Sequence, residues 1–101
     1  MINTPKLLLG VDIGTTTLSL LLLSAKDGSV VYSMTVSNDS ALPHSQGQSM
    51  QDASRIADLV LDAVASLHEA FPGISAIGVT GQMHGVICLD AQGEPISPLY
   101  T

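Results

Sequence analysis

The chain has 101 residues and a formal net charge of -6 with only three lysine and arginine residues. It can therefore fold as one compact domain but not two, and it lacks the basic surface that a nucleic-acid partner requires. Hydrophobic residues make up 46% of the sequence and charged residues 12%, so we expect either strands buried on both faces or an apolar surface covered by further sequence.

Cysteine usage and hydropathy predict a soluble, cytoplasmic protein. Cys88 is the single cysteine, so the chain can form no internal disulfide, as is usual in a reducing compartment. The longest apolar run, Leu20 to Leu23, is far too short to cross a bilayer. The residues from Lys6 to Asp12 do not have the pattern of a signal peptide. No membrane partner is therefore expected.

Two apolar runs open the sequence and predict a pair of β-strands. They extend from Leu7 to Ile13 and from Thr17 to Leu23, and both are nearly continuous, as in strands covered on two faces. Asp27-Gly28 interrupts the second run and precedes a third strand-like segment, Ser29 to Val36, which predicts a hairpin.

A polar loop is predicted from Ser37 to Ser49, after which the hydrophobic period becomes that of a helix. Apolar residues recur at three- and four-residue steps and predict an amphipathic helix over about residues 50–71. Ser49 and Asp52 resemble a capping box at its start, and Pro72-Gly73 ends it. The predicted apolar stripe consists of Ala53, Ile56, Ala57, Val60, Leu61, Val64, Leu67 and Phe71.

Two more strands are predicted after the helix, from Ile74 to Thr80 and, shorter, from Val86 to Leu89. A turn at Asp90 to Gly93 is followed by Glu94 to Pro98, where two prolines weaken any strand pairing. The order βββαββ predicts an α/β fold in which one helix covers a twisted mixed sheet.

The first candidate site is the segment Asp12-Ile13-Gly14-Thr15-Thr16-Thr17, between the first two predicted strands. A tight turn there presents successive backbone N–H groups and hydroxyls toward one point, which suits an anion, above all a phosphate. Gly14 would let a ligand approach the backbone closely, and Asp12 would hold a hydrated Mg²⁺ together with phosphate oxygens. An ordinary hairpin turn explains the same residues equally well. No Walker-type motif is present, which argues against a P-loop fold.

The second candidate site is Gly81-Gln82-Met83-His84-Gly85, directly after the fourth predicted strand. Ligands of α/β sheets lie off the carboxyl ends of strands, where Gln82 and His84 could hydrogen-bond to hydroxyl groups. A tight turn with a packed methionine and an exposed histidine is the alternative that these residues leave open.

The remaining titratable and nucleophilic side chains favour structural roles. His44 and His68 are expected to be solvated, and Cys88 to be a small buried hydrophobe on a strand. Asp58 and Asp62 are expected on the solvated face of the helix. No spacing of His, Cys and carboxylate residues resembles a zinc site.

Taken in order, these segments resemble the start of the FGGY carbohydrate kinases, within the actin-like ATPase superfamily. Leu9 to Thr16 is similar to the first phosphate motif of that superfamily, and Ile77 to Val86 is similar to a segment of xylulokinases and sedoheptulokinases. The first motif is shared across the superfamily. The second is more specific, and glycerol kinases differ there.

The resemblance implies an RNase H-like domain in which the first three strands are antiparallel neighbours and the fourth joins parallel to the first. It also implies ATP with Mg²⁺ and a ketose substrate. The residues carried over by motif are Asp12 for the metal, Gly14, Thr15 and Thr16 for the ATP phosphates, and Gln82, Met83 and His84 for the sugar.

Members of this family are several times longer than this chain, so the resemblance predicts the N-terminal part of a larger enzyme. The general-base aspartate is expected beyond Thr101, in sequence that also completes the nucleotide site. No catalytic residue is therefore predicted here, and the chain alone is expected to turn over no sugar. The apolar surplus predicts a surface that packs on this further sequence, and it is also compatible with a homodimer.

Two alternatives stay open at this point. A non-sugar ATPase of the same superfamily, chaperone-like or a dehydratase activator, would explain the first motif but not Gly81 to Gly85. A non-enzymatic interaction module would use the same fold. Among the kinases, Gln48-Ser49-Met50 slightly favours a sedoheptulokinase over a xylulokinase.

Overall fold

The structure is a computed structural model that describes residues 6–43, 49–82 and 85–101. These residues form a mixed α/β fold, as predicted. The elements are, in chain order, β1 (Leu7–Ile13), β2 (Thr17–Ser24), β3 (Val30–Ser37), β4 (Met50–Gln51), α1 (Ala53–Ala70), β5 (Ile74–Gly81) and β6 (Leu99–Tyr100).

Four of the strands form one mixed sheet in the order β3-β2-β1-β5. β2 is antiparallel to both β1 and β3, and β5 is parallel to β1, which confirms the strand directions that the resemblance implies. Because β1 and β5 run in the same direction, their carboxyl ends lie side by side: Asp12 is paired with Thr80, and Ile13 with Gly81.

The hairpin predicted at Asp27-Gly28 joins β2 to β3. Gly28 has a φ of 73°, a left-handed conformation that glycine adopts without a steric penalty, and its N–H donates to the Ser24 carbonyl at 2.8 Å. Asp27 accepts a hydrogen bond from the Ser29 N–H at 3.0 Å, and this bond lowers the pKa of the Asp27 carboxyl.

The hydrophobic core lies between the sheet and α1. Side chains alternate along β1 and β2, so that every second residue is buried beneath the helix. Tyr32 and Phe71 pack beside this core with their ring centroids 5.1 Å apart. The buried apolar residues are Leu7, Leu9, Val11, Leu18, Leu20, Leu22, Ile56, Ala63 and Leu67.

The other face of the sheet is open in the described part of the chain. Leu8 and Leu21 are 37% and 38% exposed there, and Gly10 is paired with Gly78 across β1 and β5. A shallow depression of about 690 Å³ lies over this face. The near-continuous apolar runs predict strands covered on two faces, whereas the described residues cover only one. Packing of further sequence on the open face stays a prediction.

The helix begins at Ala53, later than the sequence pattern indicates. Residues 50–51 instead form β4, which pairs antiparallel with β6. Asp52 is the N-cap residue, and its carboxylate accepts a hydrogen bond from the Arg55 N–H at 3.2 Å. The predicted capping box of Ser49 and Asp52 is therefore wrong, because Asp52 caps the helix itself.

The buried stripe of α1 is rotated relative to the predicted one. Ala63 is buried although it is not on the predicted stripe, whereas Leu61 is 66% exposed. The apolar surface of the helix is wider than the area that the sheet covers, so packing selects only one flank of it. Asp58, Asp62 and His68 are exposed, as predicted.

The segment after β5 does not form the predicted strand from Val86 to Leu89. These two residues make isolated bridges to Tyr100 and Pro95 and do not join the main sheet. For the same reason Cys88 is exposed, and its predicted burial is wrong. Within the described residues, no helix has the length and hydropathy needed to span a membrane.

Replacing Leu67 with alanine is expected to lower the free energy of unfolding by about 2–5 kcal/mol, because removal of a buried leucine leaves a cavity. Leu67 is 3% exposed. The control Leu61→Ala removes the same atoms from a side chain that is 66% exposed, and we expect a change of about 0.5 kcal/mol or less. Urea unfolding measures both values. Equal losses would contradict this packing of the helix.

Candidate functional site

The turn between β1 and β2 is closed by its own backbone. The Gly14 N–H donates to the Thr17 carbonyl at 2.9 Å. A Cβ placed on Gly14 would lie 2.7 Å from the Thr17 carbonyl oxygen, so glycine is needed here for closure of the turn as well as for any close approach of a ligand. The Gly14 N–H already donates to the Thr17 carbonyl. Gly14 can therefore leave room for a phosphate group but does not donate a hydrogen bond to it.

Asn38, the residue after β3, stabilises this turn with its side chain. Its Nδ2 donates to the Gly14 carbonyl at 2.8 Å, and its Oδ1 accepts from the Ser40 N–H and hydroxyl at 3.2 and 2.6 Å. The Ser40 carbonyl in turn accepts from the Asp52 N–H at 2.8 Å. Hydrogen bonds therefore connect the turn between β1 and β2 to Asp52, the N-cap residue of α1. The sequence offers no signal for this role, because an asparagine is ordinary in a polar loop.

Gln51 joins the two candidate motifs. Its Nε2 donates to the Thr15 carbonyl at 3.0 Å, and its Oε1 accepts from Gln82 Nε2 at 2.7 Å. The Thr15 hydroxyl donates to Gln82 Oε1 at 2.7 Å, so the three residues form a closed ring of hydrogen bonds. Gln51 is 3% exposed. The sequence pattern places Gln51 in the first turn of the helix and gives no sign of this role.

Gln82 lies next to the turn between β1 and β2. β5 ends at Gly81, and the Gln82 N–H donates to the Ile13 carbonyl at 3.1 Å, which extends the pairing of β1 with β5 by one residue. Met83 and His84 lie outside the described residues, so their place in a sugar pocket stays a prediction.

Asp12 lies at the carboxyl end of β1, on the open face of the sheet. Its carboxylate is exposed, and the residue lines the depression over that face together with Ser19 and Thr80. Among the residues that the structure describes, no group of three or more His, Cys, Asp or Glu side chains could hold a metal. A cation at Asp12 would therefore depend on water and ligand oxygens, a coordination that suits Mg²⁺.

An exposed ion pair connects the loop after β3 to the helix. Nε and Nη2 of Arg55 donate to the two carboxylate oxygens of Asp39 at 2.8 and 3.0 Å. The hydrogen bond from Arg55 lowers the pKa of the Asp39 carboxyl, and the same bond raises the pKa of Arg55. Bidentate geometry favours the pair, whereas solvent exposure and salt weaken it.

Comparisons with known proteins identify the family of this chain. Residues 7–101 match the N-terminal domain of the FGGY family of carbohydrate kinases. The chain belongs to this family. It is 36% identical over 92 residues to the xylulose kinase of Staphylococcus xylosus, and the match covers 89% of this chain and 19% of that protein.

Solved structures of a gluconate kinase and a xylulose kinase share the fold. The gluconate kinase of Lactobacillus acidophilus matches with a TM-score of 0.86 and 28% identity, over 97% of this chain and 20% of that one. The ligand-bound xylulose kinase of the same organism matches with a TM-score of 0.84 and 29% identity, over 95% and 19% of the two chains. The chain thus spans about a fifth of the length of these relatives. The predicted family and fold class are confirmed.

Gly14→Ala is expected to lower the free energy of unfolding by about 1–3 kcal/mol, because the added methyl group has no room beside the Thr17 carbonyl. The control is Gly78→Ala on β5, where an added Cβ would meet nothing within 4 Å, and we expect a change of about 0.5 kcal/mol or less. Thermal or urea unfolding compares the two variants. A neutral Gly14→Ala would show that the turn is not closed in this way.

Asp39→Asn is expected to lower the melting temperature slightly near neutral pH and to have little effect in acid. The pKa of Asp39 is lowered in the folded state, so its stabilising effect is present above the unfolded pKa of about 3.9 and is lost as the pH falls through the folded value. Melting curves from about pH 7 to 2 should converge for the two proteins. Added salt should reduce the difference at neutral pH, and a difference that grows in acid would contradict the ion pair.

Proposed function

We propose that this protein, in its full length, transfers the γ-phosphate of ATP to a hydroxyl group of a ketose of the xylulose type. One observation supports the proposal above the others: the turn suited to phosphate is hydrogen-bonded directly to Gln82, at the start of the loop proposed for the sugar. A kinase must hold its phosphate donor and its acceptor hydroxyl close together and in line. A junction between two such segments fits that requirement.

The proposed roles divide between the two segments. Asp12 would bind the water shell of Mg²⁺, and the turn at Thr15 and Thr16 would face the phosphates of ATP. Mg²⁺ would neutralise charge on the phosphates. Gln82 would orient the loop on which Met83 and His84 contact the sugar. The general base is proposed to lie in sequence after Thr101, so the chain alone would be inactive.

The names of the relatives support a choice of substrate class. Three of the curated relatives are xylulose kinases, at 30–36% identity, which favours a five-carbon ketose. The structural match to a gluconate kinase favours a second candidate, a sugar acid of similar length. Sedoheptulose remains a third candidate on the weaker basis of Gln48-Ser49-Met50. A cytoplasmic location and a homodimer also stay predictions.

The decisive assay measures ADP release by the full-length protein with ATP and Mg²⁺. Xylulose, ribulose, sedoheptulose, gluconate and glycerol are compared as acceptors. We expect the largest kcat/KM for one of the ketoses. Preference for gluconate would select the second candidate. ADP release that no sugar accelerates would contradict the proposal and would return the non-sugar ATPase to consideration.

Asp12→Asn is expected to lower kcat by about 100-fold or more, because it removes the carboxylate proposed for the metal at a charge-stabilising site. Raising the Mg²⁺ concentration should restore part of the activity. Asp27→Asn is the matched control, since Asp27 is an exposed aspartate in the hairpin at the other end of β2. Steady-state kinetics of both variants test the role, and equal activities would contradict it.

A further inference from the structure

We propose that Gln51 is a positioning residue: it sets the direction of the hydrogen-bond ring with Gln82 and Thr15, so that the Thr15 hydroxyl can only accept a hydrogen bond from a ligand. The consequence for catalysis rests on the proposed function. The direction of the ring itself rests on the geometry alone.

The direction of every bond in the ring follows from one group, the backbone carbonyl of Thr15. A carbonyl oxygen can only accept, so the atom of Gln51 that faces it at 3.0 Å must be Nε2. Gln51 Oε1 then faces Gln82 at 2.7 Å and requires Nε2 of that residue as its donor. This leaves Gln82 Oε1 toward the Thr15 hydroxyl at 2.7 Å, and the hydroxyl must donate.

A threonine hydroxyl has one hydrogen, and the ring uses it. The lone pairs of Thr15 Oγ1 are then what the hydroxyl presents to a ligand. Phosphate oxygens are acceptors and gain nothing from such a group. The fitting partner is an O–H donor, which is either a water bound to the divalent cation or a hydroxyl of the sugar. This changes the predicted role of Thr15, because its hydroxyl does not donate a hydrogen bond to a phosphate oxygen.

The ring also determines how the sugar loop begins. Gln82 is the residue immediately before Met83 and His84, and Gln51 holds its side chain from a buried position that is 3% exposed. The backbone of Gln82 is held separately, by its N–H bond to the Ile13 carbonyl. Loss of the ring should therefore leave the strands paired and change the alignment of the two motifs.

The test uses the full-length protein with Gln51→Met, Gln51→Glu and the control Gln92→Met, in which an exposed glutamine of the Asp90 turn is changed. Gln51→Met keeps the volume but has no donor or strong acceptor. We expect it to lower kcat at least tenfold, with a smaller change in KM and a melting temperature within a few degrees of the wild-type value. Gln92→Met should match the wild type.

The variant Gln51→Glu distinguishes the hydrogen-bonding role of residue 51 from its contribution to packing. The ionised carboxylate cannot donate to the Thr15 carbonyl, whereas the protonated form can, and burial raises the pKa of a carboxyl placed there. Activity relative to the wild type should therefore recover as the pH is lowered for Gln51→Glu and not for Gln51→Met. Asp12, Asp39 and Asp52 are present in all variants, so only a pH effect that distinguishes Gln51→Glu from Gln51→Met is attributed to position 51.

The variant Thr15→Val shows which group donates a hydrogen bond to the Thr15 hydroxyl. Weaker binding of the nucleotide only when Mg²⁺ is present would indicate a cation-bound water, and weaker binding of the sugar alone would indicate a sugar hydroxyl. Either result supports the inference. Nucleotide binding that is weakened equally with and without Mg²⁺ would indicate a hydrogen bond donated to phosphate and would overturn it. Unchanged binding of both would overturn the acceptor role.

Two outcomes would overturn the role of Gln51: unchanged kcat in Gln51→Met, or the same pH dependence in the Met and Glu variants. If the wild-type protein phosphorylates no sugar, the proposed function fails, and the ring is judged from melting temperatures. A raised pKa in the folded state stabilises the protein at low pH. Gln51→Glu should then melt below Gln51→Met at high pH and approach or exceed it in acid, and parallel curves would refute the ring.

Discussion

The parallel pairing of β5 with β1 is the constraint on which the site depends. It places Ile13 opposite Gly81, so the two chain segments leave the sheet at the same end and in the same direction. The next hydrogen bond along this pairing, from the Gln82 N–H to the Ile13 carbonyl, already belongs to the site. A shift by one residue would turn the side chains of β5 to the opposite face and separate Gln82 from the turn at Thr15.

Burial of polar groups at this point is tolerated because each has a partner. Asn38, Ser40 and Gln51 are between 2% and 9% exposed, and in the described residues every buried side-chain nitrogen and oxygen is hydrogen-bonded. An unpaired buried amide would cost about 1–3 kcal/mol. The same low dielectric that makes a missing partner costly makes a complete network rigid. Rigidity of this kind favours any site at which charge develops, because the surrounding dipoles need not reorganise.

The family resemblance was carried by two local motifs, and the structure explains why they occur together. The turn after β1 and the loop after β5 are far apart in the sequence, and no local interaction connects them. The sheet brings the two motifs together, because it holds them at the ends of the neighbouring strands β1 and β5. Asp12 is exposed on the open face of the same sheet.

The sequence by itself determined β1, the hairpin at Asp27-Gly28, β5 and the two motifs, because apolar runs and turn residues act through their near neighbours. Only the tertiary structure decided where α1 begins and which partners Thr15 has. Met50 pairs with Tyr100 from the far end of the chain, and this pairing takes Gln51 out of the helix and turns it toward Thr15. No local pattern encodes that choice, because the direction of an amide is set by whichever acceptor the folded chain brings within hydrogen-bond distance.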